Sequence, residues 1–413
     1  MKLYLRALGL FALVYMGILV GFSSPIYAQN RQVRAWGNNV EGTLGDGTNT
    51  DSNTPVQVSG LTNVVQISCG NGSSLALKSD GTVWAWGYNG FGQLGNGTTA
   101  SSNTPIQVSG LTNVVQISCG YTHSLALKSD GTVWAWGYND YGQLGDGSTT
   151  SSNTPIQVSG LTNVIQVSGG MLHSLALKSD RTVWAWGYNG SGQLGDGTNT
   201  LRKTPVQVSG LTNVTQVEGG FSHTLALKSD GTVWAWGYNG SGQLGDGTTT
   251  DSNTPVQTSD ITGATQIDAG SNHSLSLKSD GTVWAWGGNY DGELGDGTNT
   301  DRNTPVQFSD ITGVTQIAAG DAHSLAVKSD GTVWACGLNT SGQLGNGTTD
   351  DSVTPVAVSG YHEVASIAGG DSHSLALYRA PTIYMSNTTL KYGQRSRLLA
   401  RLYNAVTASG VAG

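Results

Sequence analysis

SDGTVWAWG occupies residues 79–87 and returns unchanged at 129–137, 229–237 and 279–287, with SDRTVWAWG at 179–187 and SDGTVWACG at 329–337. A phrase repeated about every fifty residues is the mark of a repeat architecture. The text between the copies repeats as well. Each unit offers four strand-like pieces, seen in VVQIS (64–68), SLALK (74–78), TVWAWG (82–87) and the P-[VI]-Q-V piece at 105–108. All alternate with period two, and no window carries the i, i+3, i+4 spacing of an amphipathic helix. Ser-Asp-Gly between the second and third pieces is a tight hairpin turn whose glycine takes the left-handed conformation. Arg181 replaces that glycine once, so the chain is expected to force an arginine into that region there.

Alternation sorts the apolar residues. Trp84 and Trp86 share one face of the third strand, with Val83 and Ala85 opposite. Leu75 and Leu77 share a face of the second strand, with Ala76 opposite. A sheet with one bulky and one small face stacks on its own copies, and the indoles become the filling between neighbours. A straight stack leaves two raw ends, whereas a ring leaves none. The reading is therefore all-β, a seven-bladed β-propeller of four-stranded blades. The count comes from glycines 70, 120, 170, 220, 270, 320 and 370, which each open a unit. The array starts mid-unit with QVRAWG (32–37) and stops mid-unit with HSLALY (373–378). Residues 31–58 must therefore supply the third and fourth strands of the last blade. The first strand carries small residues, such as Ser68-Cys69-Gly70 and Ala318-Ala319-Gly320, and belongs at the crowded axis.

Outside the ring, Lys2 and Arg6 precede an apolar run (7–22) and then SSPIYA, the pattern of a secretory signal cut after Ala28. A membrane anchor is the alternative, although the run is short for a span and ends in Ser-Ser-Pro. The chain thus divides into a signal peptide (1–28), the propeller (31–380) and a segment 381–413. That last segment carries four basic and no acidic residues. It looks like the start of a truncated bacterial immunoglobulin-like domain, or a linker, or a short basic helix at 395–406. A net charge of −8 argues against nucleic acid. Cys69 and Cys119 fall where other units have Gly or Ala, and Cys336 stands in for a Trp. All three read as small buried groups, with a Cys69–Cys119 disulfide conceivable in an oxidising compartment.

The segments G-x-x-H-[ST]-x-A-[LV], V-W-A-W-G and G-Q-L-G-[DN]-G resemble the regulator of chromosome condensation (RCC1-type) repeat, seven times over residues 31–380. The resemblance implies a seven-bladed propeller. Ser73 in place of the first histidine and Arg34 in place of the first Trp depart from it. Light-sensing members of the family carry G-W-R-H-T where this chain has GYTHS, GMLHS and GFSHT. Nucleotide exchange on a cytosolic GTPase does not suit an exported protein. The secreted β-lactamase-inhibitory propellers share the architecture.

His123, His173, His223, His273, His323 and His373 recur once per unit. Equivalent residues in a ring stay apart, while metal ligands must converge within about 2 Å of one ion. They read as structural, each bonding a neighbouring loop. His362 is a lone loop residue. GDGTNTD (45–51) offers only Asp46 and Asp51 as carboxylates, and Asn96 and Asn346 replace the first elsewhere. An Asp-Gly turn suits it better than a calcium loop. No metal, cofactor or catalytic constellation is indicated, and an enzyme would need paired carboxylates in the channel.

Strand directions put the first-to-second and third-to-fourth loops on one face. That face varies between units. One arc collects Phe91, Tyr121, Tyr141, Met171, Leu172, Leu201, Arg202 and Phe221, and the opposite arc Glu41, Asp321, Asp350, Asp351 and Asp371. Clustered aromatics among polar loops suit recognition. The expectation is a secreted or cell-surface, non-catalytic, monomeric module. It would bind an unknown protein or surface ligand through this face, with no nucleic acid and no membrane once the signal is removed. A rigid spacer or adhesin segment, or a secreted enzyme inhibitor using the same face, are the alternatives.

Overall fold

The computed structural model describes residues 31–360 and 363–378. These form a seven-bladed propeller of four-stranded antiparallel sheets, with no helix among the described residues. Blade 1 shows the plan: an inner strand Val64–Cys69, a second Ser73–Lys78, a third Val83–Gly87 and an outer Ser102–Gln107. Blades 2 to 6 repeat it at 114–157, 164–207, 214–257, 264–307 and 314–357. The outer strand starts ahead of the P-[VI]-Q-V piece, because pairing resumes at Gly87↔Ser102 after an irregularity beyond Ala85↔Ile106. Blade 7 closes the ring. Its inner and second strands are Val364–Gly369 and His373–Tyr378, and its third and outer strands are Gln32–Gly37 and Ser52–Gln57. The register runs from Gln32↔Tyr378 to Gly37↔His373. The expected closure by residues 31–58 is what the chain does. The expected signal peptide (1–28), His362 and the segment 381–413 lie outside the described residues.

Cross-strand register fixes the two faces. Leu75 pairs with Ala85, Ala76 with Trp84 and Leu77 with Val83. Leu75, Leu77, Val83 and Ala85 of blade 1 then pack on Ala126, Trp134 and Trp136 of blade 2. The two indoles differ, which corrects the picture of an equally buried pair. Trp86 is fully buried at the joint, whereas Trp84 is half-buried near the hairpin end. There the Lys78 ammonium lies 5.4 Å from its ring centroid, and the same stacking recurs through Lys328 on Trp334. The hairpin behaves as read: Arg181 sits at φ 68°, in the left-handed region. Gly87 is also demanded, since at φ 96° a Cβ would collide with the Gly72 carbonyl.

Polar bonds lock each joint. Trp186 Nε1 donates to the Gln143 carbonyl of the preceding blade at 2.8 Å, and Ser174 Oγ donates to the same oxygen. His123 of that blade reaches Ser174 Oγ through Nε2 at 2.8 Å. Because the hydroxyl proton is used on the carbonyl, Nε2 is the protonated nitrogen. The arrangement repeats around the ring, ending with His373 on Ser74 and Trp86 on the Thr43 carbonyl. The histidines are structural, as expected, but their partner is a strand hydroxyl of the next blade and not a loop. Ser73 leaves one joint without its histidine. Nearer the axis, the Gln66 amide donates to the Ile117 carbonyl and accepts from the Ile117 N–H, so a side chain imitates a ladder bond between inner strands.

One joint is built differently. Cys336 replaces the buried indole, and Phe308 of blade 5 fills the space where blades 1 to 3 have Val108, Val158 and Val208. The volume lost on one side is returned on the other. Phe308→Val alone should cost about 1–3 kcal/mol by leaving a void, and Cys336→Trp alone about as much by overpacking. The double variant should recover most of both losses, with a coupling of about 1–3 kcal/mol in a urea-denaturation cycle. Additive losses would show that the two side chains do not share one volume.

Candidate functional site: the loop face and the axial cavity

The inner strands surround an axial cavity of about 390 Å³. At its rim stand residues of the loops that follow those strands. Tyr121 of blade 2 and Phe221 of blade 4 meet there edge to face at 5.8 Å. Met171, Ser271, Asp321 and Asp371 complete the rim. A separate, smaller pocket at the joint of blades 7 and 1 is lined by Asn38, Glu41, Thr43 and Tyr88.

Loop bonds put both variable loop sets on this one face. The Tyr88 N–H, opening a third-to-fourth loop, donates to the Gly72 carbonyl in a first-to-second loop. The Ser79 N–H of a hairpin instead donates to the Asn63 carbonyl on the opposite face. The two rim aspartates belong to blades 6 and 7, across the axis from the rings. Burial, then the nearby Asp371 and Asp321 charges, push the Tyr121 hydroxyl up to about 12. Burial and then the Asp371 carboxylate raise Asp321 as well. Asp351, also expected on the acidic arc, accepts from the Asn339 N–H within its own loop.

A second aromatic run lies farther out. Tyr88 meets Phe91 at 6.1 Å, Phe91 meets Tyr138 at 4.8 Å, Tyr138 meets Tyr141 at 6.3 Å, and Tyr141 meets Tyr188 at 5.1 Å. The expected arc is therefore two groups: Tyr121, Met171 and Phe221 at the cavity, and Phe91 with Tyr141 in the outer run. Tyr88, Tyr138 and Tyr188 are carried by the repeat itself, so a comparison of varying positions passes over them. Leu172 is half-buried and gives its carbonyl to the Tyr188 N–H. Leu201 precedes the outer strand of blade 3, and Arg202 begins that strand. The Arg202 guanidinium is held by Asp196 at 2.7 Å, so its charge is used within the blade. Neither residue lines the cavity.

Glu218 and Asp268 are absent from the site read from the sequence. Each is the penultimate residue of its inner strand and lines the cavity. Glu218 accepts from Gln166 Nε2 at 3.1 Å, Gln216 Nε2 at 3.0 Å and Ser168 Oγ at 2.8 Å. Asp268 accepts from the Ala269 and Ala319 N–H groups. Burial raises both carboxyls, and the Asp268 charge raises Glu218 further. The signal is in the sequence: the same position is Ser68, Ser118, Ser168, Ala318 and Ala368 elsewhere. These are the paired carboxylates an enzyme would need. Fixed donors hold their oxygens in place, while burial favours their protonated forms. Burial also pushes the Cys119 thiol up to about 12, and Cys69 and Cys119 are both free thiols. In the 45–51 loop, Asp46 accepts from the Thr48 N–H and hydroxyl, and Asp51 from the Asn39 N–H.

The model of the RCC1-like domain matches residues 18–315. The chain belongs to this family. RCC1 repeat models also match residues 314–343 and 330–377. Human WBSCR16 is 27% identical, with a TM-score of 0.77 over 85% of this chain and 100% of that one. Yeast RCC1 (Prp20), solved bound to Kap60, is 24% identical, with a TM-score of 0.77 over 92% and 97%. Prp20p from Saccharomyces cerevisiae, whose report covers binding to Gsp1p and histones, is 24% identical at 0.75 over 91% and 95%. No curated protein matches this RCC1-like chain.

Burial gives the ring two opposing pH dependences. The histidines are pushed down to about 3 at His123 and about 4 at His223, from 6.5. The unfolded chain therefore binds more protons below pH 6.5, and stability falls as pH drops toward 4, by about 1.4 kcal/mol per pH unit for each histidine. Glu218 and Asp268 are raised, so the folded ring holds more protons there and stability falls as pH rises out of the carboxylate range. Chemical denaturation between pH 4 and 8 should show a maximum. Glu218→Gln should remove much of the decline on the alkaline side and, because the Glu218 window opens near pH 4.5, steepen the rise between about pH 4.5 and 6.5. An alkaline limb untouched by that change would show that Glu218 is ionised without cost.

Proposed function

We propose that this RCC1-like ring is a secreted, non-catalytic recognition module that holds a partner protein on its loop face. The observation that carries this reading is the Tyr121–Phe221 pair at the cavity rim, with the Phe91–Tyr138–Tyr141–Tyr188 run beside it. Rings are rich in contact area and lose little side-chain entropy, which makes them effective anchors. Phe91 is 38% exposed, enough to be covered by a partner. The blade joints lie beneath this layer, so the face can vary without loosening the ring. Yeast RCC1 (Prp20), which shares the fold, was solved bound to Kap60. Blocking a partner enzyme would be one outcome of such binding.

The test is a pull-down from the native surroundings with the ring, repeated with Tyr121→Ala/Phe221→Ala. The expected result is loss of the partner by about a hundredfold in affinity, as two anchors of about 1–2 kcal/mol each imply, with thermal stability nearly unchanged. A partner retained by the double variant would overturn the assignment of this face.

A further inference from the structure

The axial cavity holds carboxylates that the recognition role leaves unused. Its volume, about 390 Å³, is at the small end for ligand sites and suits one side chain better than a large molecule. Glu218 and Asp268 stand just inside it, with Asp321 and Asp371 at the rim. None of the residues lining it is Lys, Arg or His. Independently of those acids, Tyr121 and Phe221 come from blades 2 and 4 and touch across the intervening blade, beside Met171. Ring faces and a thioether accept the alkyl stem of a basic side chain, and a ring face also attracts its cation.

We infer that the cavity seats a lysine or arginine side chain of the partner, whose stem packs on Tyr121 and Phe221 and whose cation is met by Asp321, Asp371, Glu218 and Asp268. This rests on the proposed recognition role of the loop face. Hydrogen bonds from Gln166, Gln216 and Ser168 fix Glu218 in place, so no reorganisation is needed when a cation arrives. An entering cation favours the ionised carboxylates, so binding releases protons and tightens as pH rises, by up to about tenfold per pH unit for each proton released.

The probes are n-butylammonium and n-butylguanidinium, with n-butanol as the uncharged control, titrated calorimetrically into the full chain at pH 6 and pH 8. Both cations are expected to bind saturably, more tightly at pH 8, and n-butanol at least about tenfold more weakly. Glu218→Gln/Asp268→Asn should weaken the cations by about tenfold or more, and Asp321→Asn/Asp371→Asn provides a second variant if the first folds poorly. Equal binding of n-butanol, or cation affinity unchanged in both variants, overturns the inference. The two readings fail separately. A partner lost by Tyr121→Ala/Phe221→Ala but kept by both carboxylate variants sinks the basic side chain and leaves the recognition face standing. Cation binding without any captured partner sinks the recognition face.

Discussion

The ring depends on what happens at a single carbonyl oxygen in each joint. The Gln143 carbonyl receives both the Trp186 indole N–H and the Ser174 hydroxyl, and the histidine of its own blade holds that hydroxyl from the other side. The large apolar surface of the indole supplies most of the stabilisation, since burying one ring removes on the order of 200 Å² from water. The polar bonds decide orientation. A buried indole N–H without an acceptor would cost about 1–3 kcal/mol, so the ring must enter with that edge toward the loop. This fixes the angle at which one blade meets the next.

That dependence explains which parts of the structure are legible in the sequence. The indole, the small inner-strand residues and the Ser-Asp-Gly turn each answer to a local rule, and each recurs in most units. Period two sorts the faces, and the half-units at the two ends of the array dictate the closure. Trp84 escapes this reading because alternation reports only the side of a strand, not the distance along it. Trp84 and Trp86 share a face, yet Trp84 lies toward the hairpin, where Lys78 and solvent cover it. The histidine partners are likewise beyond reach, since Ser174 lies about fifty residues from His123 and the bond exists only once the ring is closed.

The site is less completely legible, and for a definable reason. Comparing units exposes positions that differ, so Tyr121, Met171 and Phe221 stand out. It conceals residues that most units share, such as Tyr88 and Tyr138, which become a surface run only when Phe91 and Tyr141 fall between them. Glu218 and Asp268 do differ from their counterparts, and their strand is legible as the axial one, but the donors that hold them, such as Gln166 on Glu218 and the Ala319 N–H on Asp268, are visible only when the inner strands are brought together.

Those two carboxylates also show where the repeat yields to something else. At the same position, Ser68 and Ser118 accept an N–H from the next inner strand without introducing charge. Asp268 keeps that bond, to the Ala319 N–H, while Glu218 turns instead to Gln166, Gln216 and Ser168. A serine would satisfy the ladder at lower electrostatic cost. Burying two acids side by side opposes folding, and a closed ring with seven reinforced joints tolerates that opposition where an open stack would fray. The acids sit beside the rim carrying the most varied loops, and the charge they bring faces the cavity, not a joint. The ring's regular bonds therefore confine the irregular chemistry to one place, the axis beneath the loop face.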